Sequence, residues 1–144
     1  MSRTLSYTGQ LPTGLQDRIK LSTITGKTGY KVVNFEIIPK TLGAATELVC
    51  KIYNTDQTGS IGPVVDFTDN NLLAVAYYSS TGGIFRGKTI IFDNEKFNQD
   101  IYVTLADAGG STTPGNYYIE LESMSLSELE TTMMTLQSIR NITE

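Results

Sequence analysis

Apolar and polar residues alternate with a period of two along much of the chain, which predicts β-strands with one buried face. The clearest stretch covers residues 89–122, where an Asn/Asp-rich link and a Gly/Pro-rich link separate three such runs. The same pattern recurs upstream. It predicts about eight strands in all, at residues 19–23, 30–38, 47–53, 64–67, 72–78, 89–92, 101–105 and 117–122.

Short strands separated by regular turn signals predict an all-β fold class. We expect an antiparallel β-sandwich that is jelly-roll-like, with its core between two sheets. The only cysteine, Cys50, falls on an inward position and should behave as a small buried apolar residue. The full predicted core is Val33, Phe35, Ile37, Leu48, Cys50, Ile52, Ile101, Val103, Leu105, Ile119 and Leu121.

The first part of the chain does not show this alternation. Residues 1–18 have no clear period, and Gly9, Pro12 and Gly14 would interrupt any long element. We therefore expect an extended N-terminal arm at 1–18, or a short strand followed by a loop there, and the β-sandwich domain at 19–124.

Residues 125–144 change to a helical pattern. Ser125 and Glu128 form a capping-box pair that predicts the start of an amphipathic α-helix. The apolar residues that follow, at spacings of three and four, are Leu126, Leu129, Met133, Leu136 and Ile139. A helix this short needs a surface to pack against. The sequence leaves open whether that surface is its own sandwich or a neighbouring subunit.

The arm and the helix are the predicted partner-binding segments of the protein. The residues expected to contact a partner are Leu5, Tyr7, Leu11, Leu126, Leu129, Met133, Leu136 and Ile139. Charge is also uneven: residues 1–46 hold six basic and two acidic side chains, while 47–144 hold five basic and thirteen acidic. This asymmetry could promote head-to-tail attraction between copies in a homo-oligomer, although scattered solvated charge explains the same distribution more simply.

The residues that usually carry catalysis are sparse. The chain has no histidine, the commonest general base. Carboxylates occur together at Asp93, Glu95 and Asp100 and again at Glu120 and Glu122, in patterns typical of a turn and of the outer face of a strand. We therefore predict no catalytic residue and no enzyme activity.

Two segments resemble ligand sites but lack the required spacing. The sequence Gly26–Gly29 (GKTG) resembles the end of a phosphate-binding loop, yet Leu21 stands where that motif needs glycine, so we expect a hairpin turn. Asp66 and Asp69 have oxygen ligands for calcium, but their spacing fits no EF-hand loop and indicates a turn. We expect no cofactor and no metal.

Other partner classes are also disfavoured. No run of Lys and Arg with interleaved aromatic residues is present, which argues against direct nucleic-acid binding. No apolar segment is long enough to span a membrane, and the N-terminus predicts no secretory signal. The many tyrosines could form a sugar-binding or subunit-binding face, or they could equally fill the ends of the sandwich.

Four segments carry a resemblance to a known group of proteins. GKTGYKVVNFEIIP (26–39), VDFTDNNLLAVAYYSS (65–80), IIFDNEKFNQDIYVTLAD (90–107) and NYYIELE (116–122) resemble small virion structural proteins of marine tailed bacteriophages. The likeness covers most of residues 19–122 and includes no catalytic motif.

The resemblance implies a non-enzymatic viral protein, in particular a capsid decoration or cement protein. Its partners would be the major capsid protein or other virion proteins and its own copies. It would be located in the virion, which is assembled in the host cytoplasm. The rival hypothesis is a β-sandwich receptor- or glycan-binding module of a phage fibre or spike.

Overall fold

The computed structural model of the protein describes residues 3–21, 23, 26–41, 46–59, 61–80, 86–92, 96–108 and 113–143, the last seven by backbone alone. Eight strands and one helix lie within these residues. They are β1 (Arg3–Leu11), β2 (Gln16–Ile19), β3 (Thr28–Pro39), β4 (Glu47–Tyr53), β5 (Leu72–Ser79), β6 (Arg86–Ile91), β7 (Ile101–Asp107), β8 (Gly115–Ser125) and α1 (Glu128–Thr143).

The strands form two antiparallel sheets. The three-stranded sheet has the order β1-β8-β3, and the five-stranded sheet has the order β2-β7-β4-β5-β6. The first and last strands therefore lie side by side, and β1, β2 and β3 alternate between the sheets. The prediction of an antiparallel, mostly β protein with a C-terminal helix is confirmed.

One continuous apolar core lies between the two sheets. Every predicted core residue except Val33 is buried, and Phe35, Leu48, Ile52 and Ile119 are among those fully enclosed. β4 is buried on both faces, because its outward residues Val49 and Tyr53 belong to a second apolar cluster with Leu72, Val75 and Ala106 on the other side of the five-stranded sheet. Cys50 is fully buried, and this burial raises the pKa of its thiol.

The prediction for Val33 was wrong because of a β-bulge in β3. Val32 pairs with Leu121 and Asn34 pairs with Glu120, so Val33 is the extra residue between them. Val33 turns outward and is 39% exposed. The bulge changes which residues face inward: Tyr30 and Val32 point to the core before it, and Phe35 and Ile37 after it.

The described part of the N-terminal segment forms strands, the alternative to an extended arm. β1 pairs with β8 along its whole length, from Arg3 with Ser123 to Leu11 with Gly115, and β2 pairs with β7. The inward positions of β1 are Leu5, Tyr7, Gly9 and Leu11. Glycine at the third of these positions hides the alternation that marks a strand.

Gly9 is needed because a buried ring passes across it. A Cβ atom at this position would lie 2.5 Å from Cζ of Tyr117, closer than carbon atoms approach without displacement. The Tyr117 hydroxyl continues to the other sheet and donates a hydrogen bond to Asp17 Oδ2 at 2.8 Å. Gly9, Tyr117 and Asp17 thus tie β1, β8 and β2 together.

The predicted strand at residues 64–67 belongs to a non-regular connection. This segment is held by the buried Lys51, whose Nζ donates to the carbonyl oxygens of Gly62 at 3.0 Å and Val64 at 2.5 Å. Burial lowers the pKa of Lys51. The apolar residues of this segment lie outside the core. Phe67, for example, packs edge-on against Phe92, with ring centroids 5.4 Å apart.

Candidate functional site: the exposed face of the C-terminal helix

α1 begins two residues later than its sequence pattern predicted. The Glu130 backbone N–H donates to Ser127 Oγ at 3.2 Å, and the Ser127 N–H donates to Glu130 Oε1 at 3.3 Å. These two bonds make a capping box of Ser127 and Glu130 rather than Ser125 and Glu128. The shift arises because Ser125 is still paired with Thr28 at the end of β8 and β3, which keeps its backbone extended.

Leu126 fixes the start of α1 to the sandwich. It is 8% exposed, and its side chain occupies the space left by Gly29, where a Cβ atom would lie 2.7 Å from Leu126 Cδ2. Its N–H also donates to the Lys27 carbonyl oxygen at 2.8 Å. Leu126 was predicted to contact a partner, but it packs against its own domain because glycine in β3 provides a pocket for it.

The inner face of α1 is polar. Asn98 is fully buried beneath the helix, and its Nδ2 donates to the Gly26 carbonyl oxygen at 3.0 Å and to Thr135 Oγ1 at 3.3 Å. Thr131, one turn earlier, packs its methyl group next to Gly26. The contacts with the body therefore use two threonines four residues apart, a spacing that places them on one side of the helix.

The outer face of α1 is apolar. Leu129, Met133 and Leu136 are 70%, 62% and 61% exposed, respectively. At about 100° per residue, these three side chains share one stripe on the side of the helix opposite Thr131 and Thr135. The side chain of Ile139, predicted to extend this stripe, lies outside the described residues. We call Leu129, Met133 and Leu136 the helix stripe.

The N-terminal residues that were predicted to contact a partner face the core of their own domain. Leu11 is buried in the core, and Leu5 and Tyr7 are partly buried against it. The outward positions of β1 are polar instead, with Thr4, Ser6, Thr8 and Gln10 exposed. Of the described side chains predicted to contact a partner, only those of the helix stripe are exposed.

A groove lies on the outer face of the three-stranded sheet, at the end where β8 begins. It has a volume of about 470 Å³ and is lined by Thr8, Gly9, Gln10, Glu36, Ile38, Asn116, Tyr117 and Tyr118. Gln10 Nε2 donates to Asn116 Oδ1 at 2.8 Å, and the Tyr118 hydroxyl donates to Glu120 Oε1 at 2.5 Å. The bond to Glu120 is the main cause that raises the pKa of Tyr118.

The carboxylates considered for hydrolysis, where they are described, make hydrogen bonds within the domain. Asp100 is buried and structural: its Oδ2 lies 2.5 Å from Arg18 Nη2, and its Oδ1 accepts the Leu21 N–H at 2.8 Å. The hydrogen bond from Arg18 to Asp100 is also the main cause that raises the pKa of Arg18. Asp93 and Glu95 lie outside the described residues. Glu120 accepts the hydroxyl of Tyr118 on the outer face of β8.

The acidic residues considered for calcium act as turn caps. Asp66 Oδ1 accepts the Thr68 N–H at 2.9 Å and the Thr68 hydroxyl at 2.6 Å, and these bonds lower the pKa of Asp66. Asp69 Oδ1 accepts the Asn71 N–H at 2.9 Å. Within the described ranges, no group of three or more potential metal-ligating side chains is found.

Sequence comparison does not supply a family for this chain. No protein-family model matches it, and no curated protein matches it. In the described part of the chain, no helix has the length and apolar character needed to cross a membrane. A function must therefore be argued from the helix stripe, the groove and the strand order.

Proposed function

We propose that this chain is a non-enzymatic structural protein of a bacteriophage virion, a capsid decoration or cement protein. In this proposal it binds the major capsid lattice and its own copies, and it is part of a virion that is assembled in the host cytoplasm. The observation that carries the proposal is the helix stripe, because three large apolar side chains face solvent on a helix whose other face is bonded to the body.

The energetics favour burial of the stripe by another molecule. Covering a large apolar side chain contributes roughly 1.5–3 kcal/mol, so the three residues together could supply several kcal/mol before the costs of association. Both Leu126 and the Asn98–Thr135 contact hold α1 to the body before any partner arrives. Such preorganisation reduces the entropy lost when the partner binds.

We also propose that the two sheets are those of a jelly roll. A jelly roll pairs the first strand with the last, the second with the seventh and the fourth with the fifth. All three pairings occur here. The third strand also pairs with the eighth and the fourth with the seventh, as a jelly roll requires. The sixth strand departs from that topology: a jelly roll pairs it with the third, whereas β6 pairs with β5 and reaches β3 through the hydrogen bond from Thr89 Oγ1 to the Phe35 carbonyl oxygen at 2.9 Å. Jelly rolls occur in viral capsid and lectin domains, so the assignment fits both the main proposal and its rival.

The rival function is a receptor- or glycan-binding module of a fibre or spike. The groove on the three-stranded sheet favours it, because aromatic, amide and carboxylate side chains converge there. The two functions use different surfaces, and one chain can have both.

Mass measurement tests the main proposal. The purified chain would be studied by light scattering alone and after mixing with mature capsid shells of the tailed phage that carries it. We expect saturable binding at a fixed stoichiometry per capsid subunit. Absence of binding to shells, combined with binding to host surface polysaccharide, would replace the main proposal by its rival.

A further inference from the structure

The groove on the outer face of the three-stranded sheet combines an aromatic ring with two amides and a carboxylate. Strand register places these side chains in two rows. Thr8, Tyr118 and Glu36 form one row across β1, β8 and β3, and Gln10, Asn116 and Ile38 form the next. Because all six project from regular strands, their spacing is fixed by the sheet rather than by a loop.

We propose that this groove is a binding site for a neutral saccharide. The Tyr118 ring would be the platform for a sugar face, and the amide pair of Gln10 and Asn116 would bind its hydroxyl groups. This inference goes beyond the assembly role of the helix stripe and does not depend on it. Asn116 and Ser125 lie at opposite ends of β8, about 30 Å apart at the usual strand rise, so the groove and α1 are separate surfaces.

The amide pair has the hydrogen-bonding groups that adjacent hydroxyls need. The bond from Gln10 Nε2 to Asn116 Oδ1, at 2.8 Å, holds the two side chains side by side. This bond uses the amide nitrogen of Gln10 and the amide oxygen of Asn116. The second polar group of Asn116 is its NH₂, a donor, and that of Gln10 is its oxygen, an acceptor. A neighbouring donor and acceptor match two vicinal hydroxyls, each of which can both donate and accept.

Charge selects a neutral occupant. Glu36 is exposed in the groove, and Glu120 accepts the Tyr118 hydroxyl next to it. Two carboxylates on one face repel phosphate, sulfate and uronate groups but accept hydrogen bonds from uncharged hydroxyls. Apolar surface is present as well, since Ile38 is 57% exposed beside the amide pair. A groove of about 470 Å³ is also in the usual size range for small-ligand sites.

The test is NMR titration of the full chain with four neutral hexasaccharides: cellohexaose, maltohexaose, xylohexaose and chitohexaose. We expect at least one to shift the backbone signals of residues 8–10, 36–38 and 116–118, with saturation. Tyr118→Ala should weaken that binding by at least about tenfold, which corresponds to about 1.4 kcal/mol. Tyr118→Phe, which keeps the ring, should retain affinity within about threefold if stacking dominates.

Matched controls separate the site from general effects on folding. Tyr77→Ala removes a partly exposed tyrosine from the five-stranded sheet and should leave affinity unchanged. Gln10→Ala, at an exposed position, should weaken binding without changing the rest of the spectrum, so the test does not rely on the Tyr118 variants folding. A hexamer of galacturonate should bind more weakly than the best neutral sugar, and Glu36→Gln should reduce that difference.

Three results would overturn the proposal. One is that none of the neutral hexasaccharides shifts the groove signals at 10 mM, about the weakest affinity that such a titration can follow. Another is that the shifts occur elsewhere and are insensitive to Gln10→Ala. The third is that an extended peptide, but no sugar, saturates the groove, which would make this a peptide-binding face. None of these outcomes affects capsid binding by the helix stripe.

Discussion

Replacing Leu126 by alanine should detach α1 from the sandwich while leaving the two sheets folded. Leu126 is almost completely buried, and its branched end occupies the space above Gly29. The substitution removes the contact and opens a cavity, because the glycine has no side chain with which to fill it. Leu-to-Ala changes at buried sites cost about 2–5 kcal/mol, and a site at the edge of the core belongs near the lower end, about 2–3 kcal/mol.

The loss should be local because the other described contacts of α1 with the body are few, namely the hydrogen bond between Asn98 and Thr135 and the Thr131 methyl group next to Gly26. Asn98 with Thr135, at 3.3 Å, is a weak geometry. A helix of 16 residues is marginal in water once it leaves the surface it packs on. We therefore expect faster amide hydrogen exchange throughout α1, by about 30-fold or more for 2 kcal/mol, with little change in β4 and β7.

Hydrogen exchange followed by NMR or mass spectrometry is the appropriate assay. Leu129→Ala is the matched control, because it makes the same chemical change in a side chain that is 70% exposed. It should alter stability by no more than about 0.5 kcal/mol. Two results would contradict the view that α1 is a separately anchored element. One is equal protection of the α1 amides from exchange in both variants, and the other is that Leu126→Ala destabilises α1 and the sheets to the same extent.

Three further predictions concern the sandwich itself. Val103→Asp places an unpaired charge in a fully buried position and should abolish cooperative thermal unfolding of the native domain; a melting temperature within a few degrees of the parent would contradict the register of β7. Gly9→Ala should cost about 1–3 kcal/mol in urea titration, because its methyl group displaces the Tyr117 ring; an unchanged midpoint would show that the ring moves freely. The pKa of Tyr117 is raised by burial and by its bond to Asp17, so stability present at neutral pH should be lost as pH rises above about 10. Urea titrations at pH 7 and pH 10.5 should show that Tyr117→Phe loses less stability between the two pH values than the parent. Part of the loss will persist, because the pKa of Cys50 is also raised and its ionisation destabilises the fold in the same direction. An unchanged pH dependence would refute the assignment to Tyr117.

The strands that could be predicted best are those with unbroken alternation. β4 was predicted with its observed bounds, and the inward residues of β7 and β8 were predicted correctly, because no extra residue or glycine enters these runs. The one irregularity in the ladder between β4 and β5 adds its extra residue, Leu73, to β5. In β3 the bulge at Val33 breaks the period, and sequence alone does not show where an extra residue enters a ladder. In β1 the inward Gly9 removes one apolar position, and its reason is Tyr117, 108 residues later in the chain.

The candidate site could be predicted only in part. The stripe of Leu129, Met133 and Leu136 follows from helical periodicity, but the side of the helix that meets the body does not. A general rule would place the apolar side inward, whereas Asn98 and Thr135 make the inner contact here. Such a contact depends on tertiary placement of a loop residue. The groove was missed because its residues are ordinary outward positions on three strands that only the sheet brings together.

The exposed stripe is also an unusual use of surface. The described exposed apolar residues include Val64, Val65 and Phe67 on the connection before β5, as well as the helix stripe. Single exposed apolar residues are common and need no explanation. The helix stripe differs because its three members are aligned on one rigid element and can be covered by one partner surface.

Binding of stripe variants to capsid shells tests the central claim most directly. The triple variant Leu129→Gln, Met133→Gln and Leu136→Gln keeps helix-forming residues and removes the apolar stripe. Its control changes Leu15, Val64 and Val65, all exposed away from α1, to Gln. Both variants would be titrated onto shells of the tailed phage to which the proposal assigns the chain, with bound protein measured by sedimentation.

The proposal predicts that the stripe variant loses at least about 100-fold in affinity while its hydrogen-exchange protection and fold are retained. The control should bind like the parent protein. Equal binding by all three proteins would contradict the assignment of α1 as the capsid-binding element. Failure of the parent itself to bind would contradict the decoration function.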